Sequence, residues 1–161
     1  MKYIVYNDPS TNIAALVYPA PHIDSVDKLK KLALKVVPEG TSYNITESGE
    51  VPLDRGLRNA WQVKEGNVIV NLSRAKEICH QKRREVRATE LAPWDVKTTV
   101  PHLSLDAEQE RQKIRDKYVD IQTQINEATI PEELSTIHAA LSLKLNEISR
   151  ADKIEFRSLH P

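Results

Sequence analysis

The chain has 161 residues, 40% of them hydrophobic, and 23 Lys and Arg offset 23 Asp and Glu. A net charge of zero leaves no global field to draw in nucleic acid or an anionic membrane. The one cysteine, Cys79, excludes an intramolecular disulfide and a cysteine-rich zinc site.

No segment approaches the roughly 20 consecutive apolar residues of a membrane span. The apolar run after Met1 is too short for a secretory signal, so the chain is expected to be made in a cytoplasm and to stay soluble. One Phe and two Trp imply a modest, largely aliphatic core, suited to a protein that completes its burial against a partner. Charge is unevenly placed. Residues 1–71 hold 8 basic and 8 acidic side chains, 72–97 hold 7 and 4, and 98–161 hold 8 and 11. The middle is mildly positive and the C-terminal arm mildly negative, a small asymmetry that favours self-association or docking between them.

Lys2 to Tyr6 and Asn12 to Tyr18 are predicted as strands of a hairpin around Asn7-Asp8-Pro9-Ser10. Asp24 is expected to cap a helix with Val26, Leu29, Ala33 and Val36 on one face, ended by Pro38-Glu39-Gly40. Thr41 to Thr46 alternates as a half-buried strand, with Tyr43 and Ile45 on one side. Ala60 to Val63 and Asn67 to Val70 form a second hairpin around Glu65-Gly66.

From Leu72 the period becomes helical. Leu72, Ala75, Ile78, Cys79 and Val86 share a face, and Arg74, Lys76, Lys82, Arg83, Arg84 and Arg87 cover the rest. Pro93 is expected to end this helix near Leu91-Ala92, leaving Trp94 to Pro101 as an extended linker. Ser104 caps a further helix whose apolar residues Ile114, Tyr118, Ile121, Ile125 and Ala128 follow coiled-coil spacing. Thr129-Ile130-Pro131-Glu132 is a capping box for a last helix carrying Leu134, Ile137, Leu141, Leu145 and Ile148. So short a turn makes these two helices antiparallel. Ile154 to Leu159 returns to alternation, as a strand would.

The expected fold is therefore α+β: a small N-terminal antiparallel β unit with one helix, then a long basic helix and a C-terminal antiparallel helical hairpin. The expected divisions are an α+β unit over 1–71, a basic helix and linker over 72–101, the hairpin over 102–150 and an extended tail over 151–161.

The residues give no pattern for catalysis, cofactor binding or metal ligation. His22, His80, His102, His138 and His160 lie at no ligand spacing. Cys79 sits on an apolar face, as a small buried hydrophobe does. Four scattered glycines form no phosphate loop. No enzyme activity and no cofactor are expected. His80-Gln81-Lys82-Arg83-Arg84 is the one basic cluster, which makes Lys82, Arg83 and Arg84 candidate phosphate contacts. Glu77, Glu85 and Glu90 interleave with it and no aromatic platform accompanies it, so a solvated helix face is the favoured reading and nucleic acid is not expected as a partner. A lone pair of helices with narrow stripes buries little and needs a third surface. Ile114, Tyr118, Ile121, Ile125, Leu134, Ile137, Leu141, Leu145 and Ile148 are accordingly expected to bind a partner, with Ile154 and Phe156 adding a strand to a partner sheet.

The run Val51-Pro52-Leu53-Asp54-Arg55-Gly56-Leu57-Arg58-Asn59-Ala60-Trp61 resembles a segment of small proteins of tailed bacteriophages encoded near tail or tail-fibre genes. In that family the segment precedes a strand and a basic helix, the place held here by Leu72-Ser73-Arg74-Ala75-Lys76-Glu77-Ile78. Glu90-Leu91-Ala92-Pro93-Trp94-Asp95, Ile114-Arg115-Asp116-Lys117-Tyr118 and Ala128-Thr129-Ile130-Pro131-Glu132-Glu133-Leu134 are also similar, so the likeness spans roughly residues 35–137. It is weaker over the first 35 residues and absent from the last 20. The resemblance implies a structural or accessory tail protein in the virion. Such a protein joins tail or tail-fibre components through protein–protein contacts, in multiple copies and away from membranes. The alternatives are a tail-fibre assembly chaperone not retained in the virion and a small nucleic-acid-binding phage protein using the basic helix.

Overall fold

The computed structural model describes residues 1–52 and 54–159, with Ser48 and 152–159 as backbone. The fold is α+β: an N-terminal region of strands with one helix precedes long helices. It divides into two compact units, residues 1–75 and 76–161.

The first unit contains β1 (Lys2–Asn7), β2 (Ala14–Val17), α1 (Val26–Val36), β3 (Tyr43–Glu47), β4 (Trp61–Lys64) and β5 (Asn67–Val70). Strand β1 is the centre of an antiparallel sheet in the order β2-β1-β3, and β4 pairs with β5 in a separate hairpin. Successive side chains of a strand point to opposite faces, and β1 buries both. Ile4 packs with Leu29 and Ala33 of α1, while Val5 packs with Ala14, Trp61 and Val68. The sheet is thus covered by α1 on one face and by the β4–β5 hairpin on the other.

Polar side chains join the pieces. Asn7 Nδ2 donates to the Val63 carbonyl at 2.9 Å, and its Oδ1 accepts from the Val63 N–H at 2.7 Å. One side chain so replaces a backbone ladder pair between β1 and β4. Arg74 donates to the carbonyls of Asn12 and Thr11 at 2.7 and 3.1 Å, tying down a loop in which Asn12 has φ +53. The β4–β5 turn has Glu65 at φ +52 and Gly66 at φ +85, so both central residues are left-handed, as a two-residue hairpin of matching twist requires.

The second unit takes in α2 (Leu72–Lys97) from Lys76 on, α3 (Ser104–Glu127) and α4 (Pro131–Leu159). Val86 of α2, Ile114 and Tyr118 of α3 and Leu141 of α4 form one buried cluster, flanked by Leu91, Trp94, Ile121, Ile137, Leu145 and Ile148.

Several boundaries differ from expectation. Pro93 lies inside α2, which continues to Lys97, so the predicted linker shrinks to the turns at 98–103. Proline removes one helical hydrogen bond, but Leu91 and Trp94 on either side pack into the cluster, and Lys97 lies 4.3 Å over the Trp94 ring. Tertiary burial outweighs the local penalty. The segment expected to be extended over 151–161 is helical through Leu159; no Pro or Gly follows Pro131 within α4, and Ala, Lys, Glu, Arg and Leu there all favour helix. His160 and Pro161 lie outside the described residues. Ser25, not Asp24, caps α1 by accepting from the Lys28 N–H, while Asp24 pairs with Lys28 at 2.8 Å. Leu103 occupies the N-cap of α3, and Ser104 donates instead to the Pro101 carbonyl. Glu133, not Glu132, turns back to the Thr129 and Ile130 N–H groups.

Candidate functional site

The basic cluster of α2 resolves into three different side chains. Lys82 is paired with Glu85 at 3.0 Å, one turn on. Arg84 is exposed. Arg83 is only 8% exposed, with Nη1 donating to the Tyr118 carbonyl at 3.2 Å. The expected solvated face is therefore partly a helix seam. Arg83 stands four residues after Cys79 and three before Val86, both fully buried, and that spacing places it on the core side. Charge alone marked it as surface in the sequence; position relative to its apolar neighbours was the signal that could have found it. Arg87, one turn beyond Arg83, was likewise assigned only to the surface. It is half-buried, and its Nε and that of Arg83 are both buried without a hydrogen-bond partner.

The apolar stripes expected to bind a partner are filled within the unit. Ile114, Tyr118, Ile125, Leu134 and Leu141 are buried, and Ile121, Ile137, Leu145 and Ile148 are partly buried against the same cluster. The third surface that two narrow stripes need is α2, through Val86, Leu91 and Trp94. Ile154 and Phe156 lie, as side chains, outside the described residues. Large apolar side chains left in the open stand elsewhere: Leu34 is 80% exposed on α1, Leu105 is 72% exposed, and Val119 and Leu143 are exposed on α3 and α4. None belongs to a regular stripe, which is why periodicity did not select them.

Two polar networks cross the helices of the second unit. Glu90 accepts from Lys117 at 2.7 Å and from the Tyr118 hydroxyl at 2.6 Å. Burial alone would raise the Glu90 carboxyl, but the hydrogen bonds from Lys117 and Tyr118 outweigh it and hold the group below its ordinary value. Burial, and then the hydrogen bond to Glu90, push the Tyr118 phenol well above its usual range. That direction keeps the phenol protonated, as a donor that ties α3 to α2. In the second network Arg111 contacts Asp95 at 2.8 Å and Glu108, and Glu108 also takes Arg115 at 2.6 Å. The Cys79 thiol is fully buried and faces the Leu134 carbonyl at 3.4 Å, in the role of a small hydrophobe.

An open depression of about 440 Å³ lies at the α3–α4 turn, lined by Gln124, Glu127, Ala128, Glu133, Thr136 and Ile137. The Glu133 carboxylate there is committed to the start of α4. Among the described residues no group of three His, Cys, Asp or Glu could hold a metal ion, and no helix is long and apolar enough to cross a membrane.

The segment that carries the resemblance has a packing role in the first unit. Arg58–Ala60 form a short 3-10 turn, Ala60 is fully buried, and Trp61 is 2% exposed at the start of β4. The Ala60 carbonyl accepts from the Asn71 N–H, and Asn71 Oδ1 accepts from the Arg74 N–H at the start of α2. Arg55 donates to the Tyr18 hydroxyl at 3.0 Å. Leu53 lies outside the described residues. No protein-family model matches the chain, and neither a curated protein nor a solved structure matches it.

Proposed function

We propose that the chain is an accessory protein of bacteriophage tails, joining tail or tail-fibre components through protein–protein contacts and acting in the virion without catalysis or cofactor. The observation that carries this reading is the resemblance through Arg58-Asn59-Ala60-Trp61 and the basic helix after it. Those residues make the hydrogen bonds and burial that connect the second hairpin to α2, so the likeness falls on parts that determine the fold. A contact role is further supported by the two units. Each has its own apolar clusters and each leaves isolated large apolar side chains uncovered, Leu34 in one and Leu105 and Leu143 in the other.

Within the second unit α3 and α4 act as an antiparallel hairpin laid against α2, a reading supported by the turn of residues 128–130 and by the shared cluster. Its uncovered outer faces, not the buried stripes, then meet the partner.

Mass spectrometry of purified tailed particles produced in cells that express the chain tests the proposal. The expected result is the chain at a fixed ratio to a tail protein. Its absence from particles, with no capture of tail or fibre proteins from the same cells, would sink it. Capture by fibre proteins alone would move the chain to the chaperone role.

A further inference from the structure

Arg83 is the one charged residue buried among the described residues. A buried cation is tolerated when a carboxylate or several acceptors compensate it. Here the only hydrogen-bond acceptor is the neutral Tyr118 carbonyl, and the Nε hydrogen finds none. Arg87 repeats the defect one turn later, with a buried Nε and no acceptor. Arg84 and Arg87 both stand close enough to Arg83 to act on its charge, and burial and these two neighbours all push the Arg83 guanidinium below its ordinary range.

On the neighbouring helix the Nε of Arg111 is also buried without a hydrogen bond, but there an Asp95 oxygen lies 2.8 Å away. Arg111, Lys113, Arg115 and Lys117, all the Lys and Arg of α3, each contact a carboxylate. On α2 itself Lys82 is neutralised by Glu85. Among the described residues Arg83, Arg84 and Arg87 meet no carboxylate within ion-pair distance. Three guanidinium groups within two turns, one of them desolvated, thus stand together without counter-charge, whereas Lys82 and every Lys and Arg of α3 have a carboxylate.

Resting on the contact role proposed above, we infer that Arg84 and Arg87 of α2 receive an acidic segment of a protein partner, with the buried charge of Arg83 behind them adding to the attraction. Guanidinium groups take carboxylates in paired, planar hydrogen bonds, and partial desolvation strengthens each of them. The setting favours a short acidic peptide over nucleic acid. Only three guanidinium groups stand together, flanked by Glu77, Glu85 and Glu90; that matches a few carboxylates and not a phosphate track, which carries a charge about every 1.7 Å of duplex. Tyr118, whose backbone meets Arg83, has a buried ring that offers no stacking face for bases, and the Trp94 ring further along α2 is overlaid by Lys97.

The test uses the full chain and a fluorescein-labelled hexaglutamate peptide, with binding read by anisotropy at about 20 mM and about 200 mM salt. Saturable binding that weakens with salt is expected, and Arg84→Gln with Arg87→Gln should reduce affinity roughly tenfold. Those two positions are chosen because Arg83 contributes to helix packing; unchanged circular dichroism and melting of the double variant would show that the loss is not unfolding. The inference is overturned by no binding of the peptide, by equal binding by the double variant, or by tighter binding of a single-stranded DNA oligonucleotide than of the peptide. Self-association abolished by the same double variant would also overturn it, by giving the site to a second copy of the chain. A chain that ignores the peptide yet is recovered in tail particles would remove this inference alone. A chain that binds the peptide but is missing from particles would remove only the tail assignment.

Discussion

The two units satisfy their backbones in different ways. The helices of the second unit close their own hydrogen bonds, so side chains are left to decide only which faces meet. They do so with an apolar cluster around Val86, Ile114, Tyr118 and Leu141 and with charged ties such as Glu90 to Lys117 and Arg111 to Asp95. The short strands of the first unit cannot close themselves. There Asn7 stands in for a strand neighbour of Val63, Arg74 holds the carbonyls of Thr11 and Asn12, and Asp8 accepts from the Ser10 and Thr11 N–H groups. The difference teaches where each unit is vulnerable. The helical unit depends on apolar volume at its seam, and the β unit on a few single side chains that hold backbone in place.

The largest test of this contrast is a pair of core substitutions. Leu141→Asp places a charge in the helical seam and should cost about 3–5 kcal/mol. Trp61→Ala removes the largest buried side chain of the β unit and should cost about the same. Hydrogen exchange by residue checks both. Each variant is expected to lose amide protection in its own unit, 76–161 for the first and 1–75 for the second. Equal loss across both units in either variant would erase the distinction between them.

Sequence periodicity carries the same contrast only in part. The switch from alternation to helical period at Leu72 was legible, as were both hairpins and α1, because each rests on local signals: turn residues, caps and a repeating apolar position. What escaped depends on distant packing. Pro93 is read locally as a helix end, yet Leu91 and Trp94 anchor the helix on both sides of it. Arg83 and Glu90 are charged and were read as surface, although they fall four and eleven residues after Cys79 on the seam side of α2. The stripes of α3 and α4 were correctly chosen as apolar surfaces, but the sequence does not say that α2 fills them. For the site, the cluster Lys82, Arg83 and Arg84 was visible as composition. Which of the three is paired, buried or open was not, since that depends on Glu85 and on the backbone of α3.

A middle-sized effect is expected at Glu90, where the helical unit uses charge. Glu90→Gln loses the ion pair to Lys117 and weakens the acceptor for Tyr118, at a cost of about 1–2 kcal/mol near neutral pH. The sign with pH follows from the depressed carboxyl. Its contribution is complete above the ordinary carboxylate range and is lost as pH falls through the lowered folded value. The stability gap between wild type and Glu90→Gln should therefore close on acidification, beginning in the ordinary carboxylate range and ending below the lowered folded value. Urea melts at intervals of pH check it, and a gap that stays constant to the lowest pH would show that Glu90 acts through shape, not charge.

The smallest effect belongs to the β unit and reverses direction. Glu65 holds φ +52 at the first turn position of the β4–β5 hairpin. A left-handed backbone costs a residue with a Cβ roughly 1–2 kcal/mol, and asparagine tolerates it better than glutamate because its short side chain bonds locally. Asn-Gly is also the preferred pair for this turn. Glu65→Asn should therefore stabilise the unit by about 0.5–1 kcal/mol. The gain should appear as slower amide exchange in Trp61–Lys64 and Asn67–Val70, with none in α3. Gly66 next to it should not accept a side chain, and the reason is its backbone, not crowding. A Cβ there would meet the Asn44 side chain only at an ordinary 3.5 Å, while φ stands at +85. If Gly66→Ala proved neutral while Glu65→Asn gained nothing, backbone conformation would not be what limits this hairpin. The β unit would then depend, like the helical one, on buried volume alone.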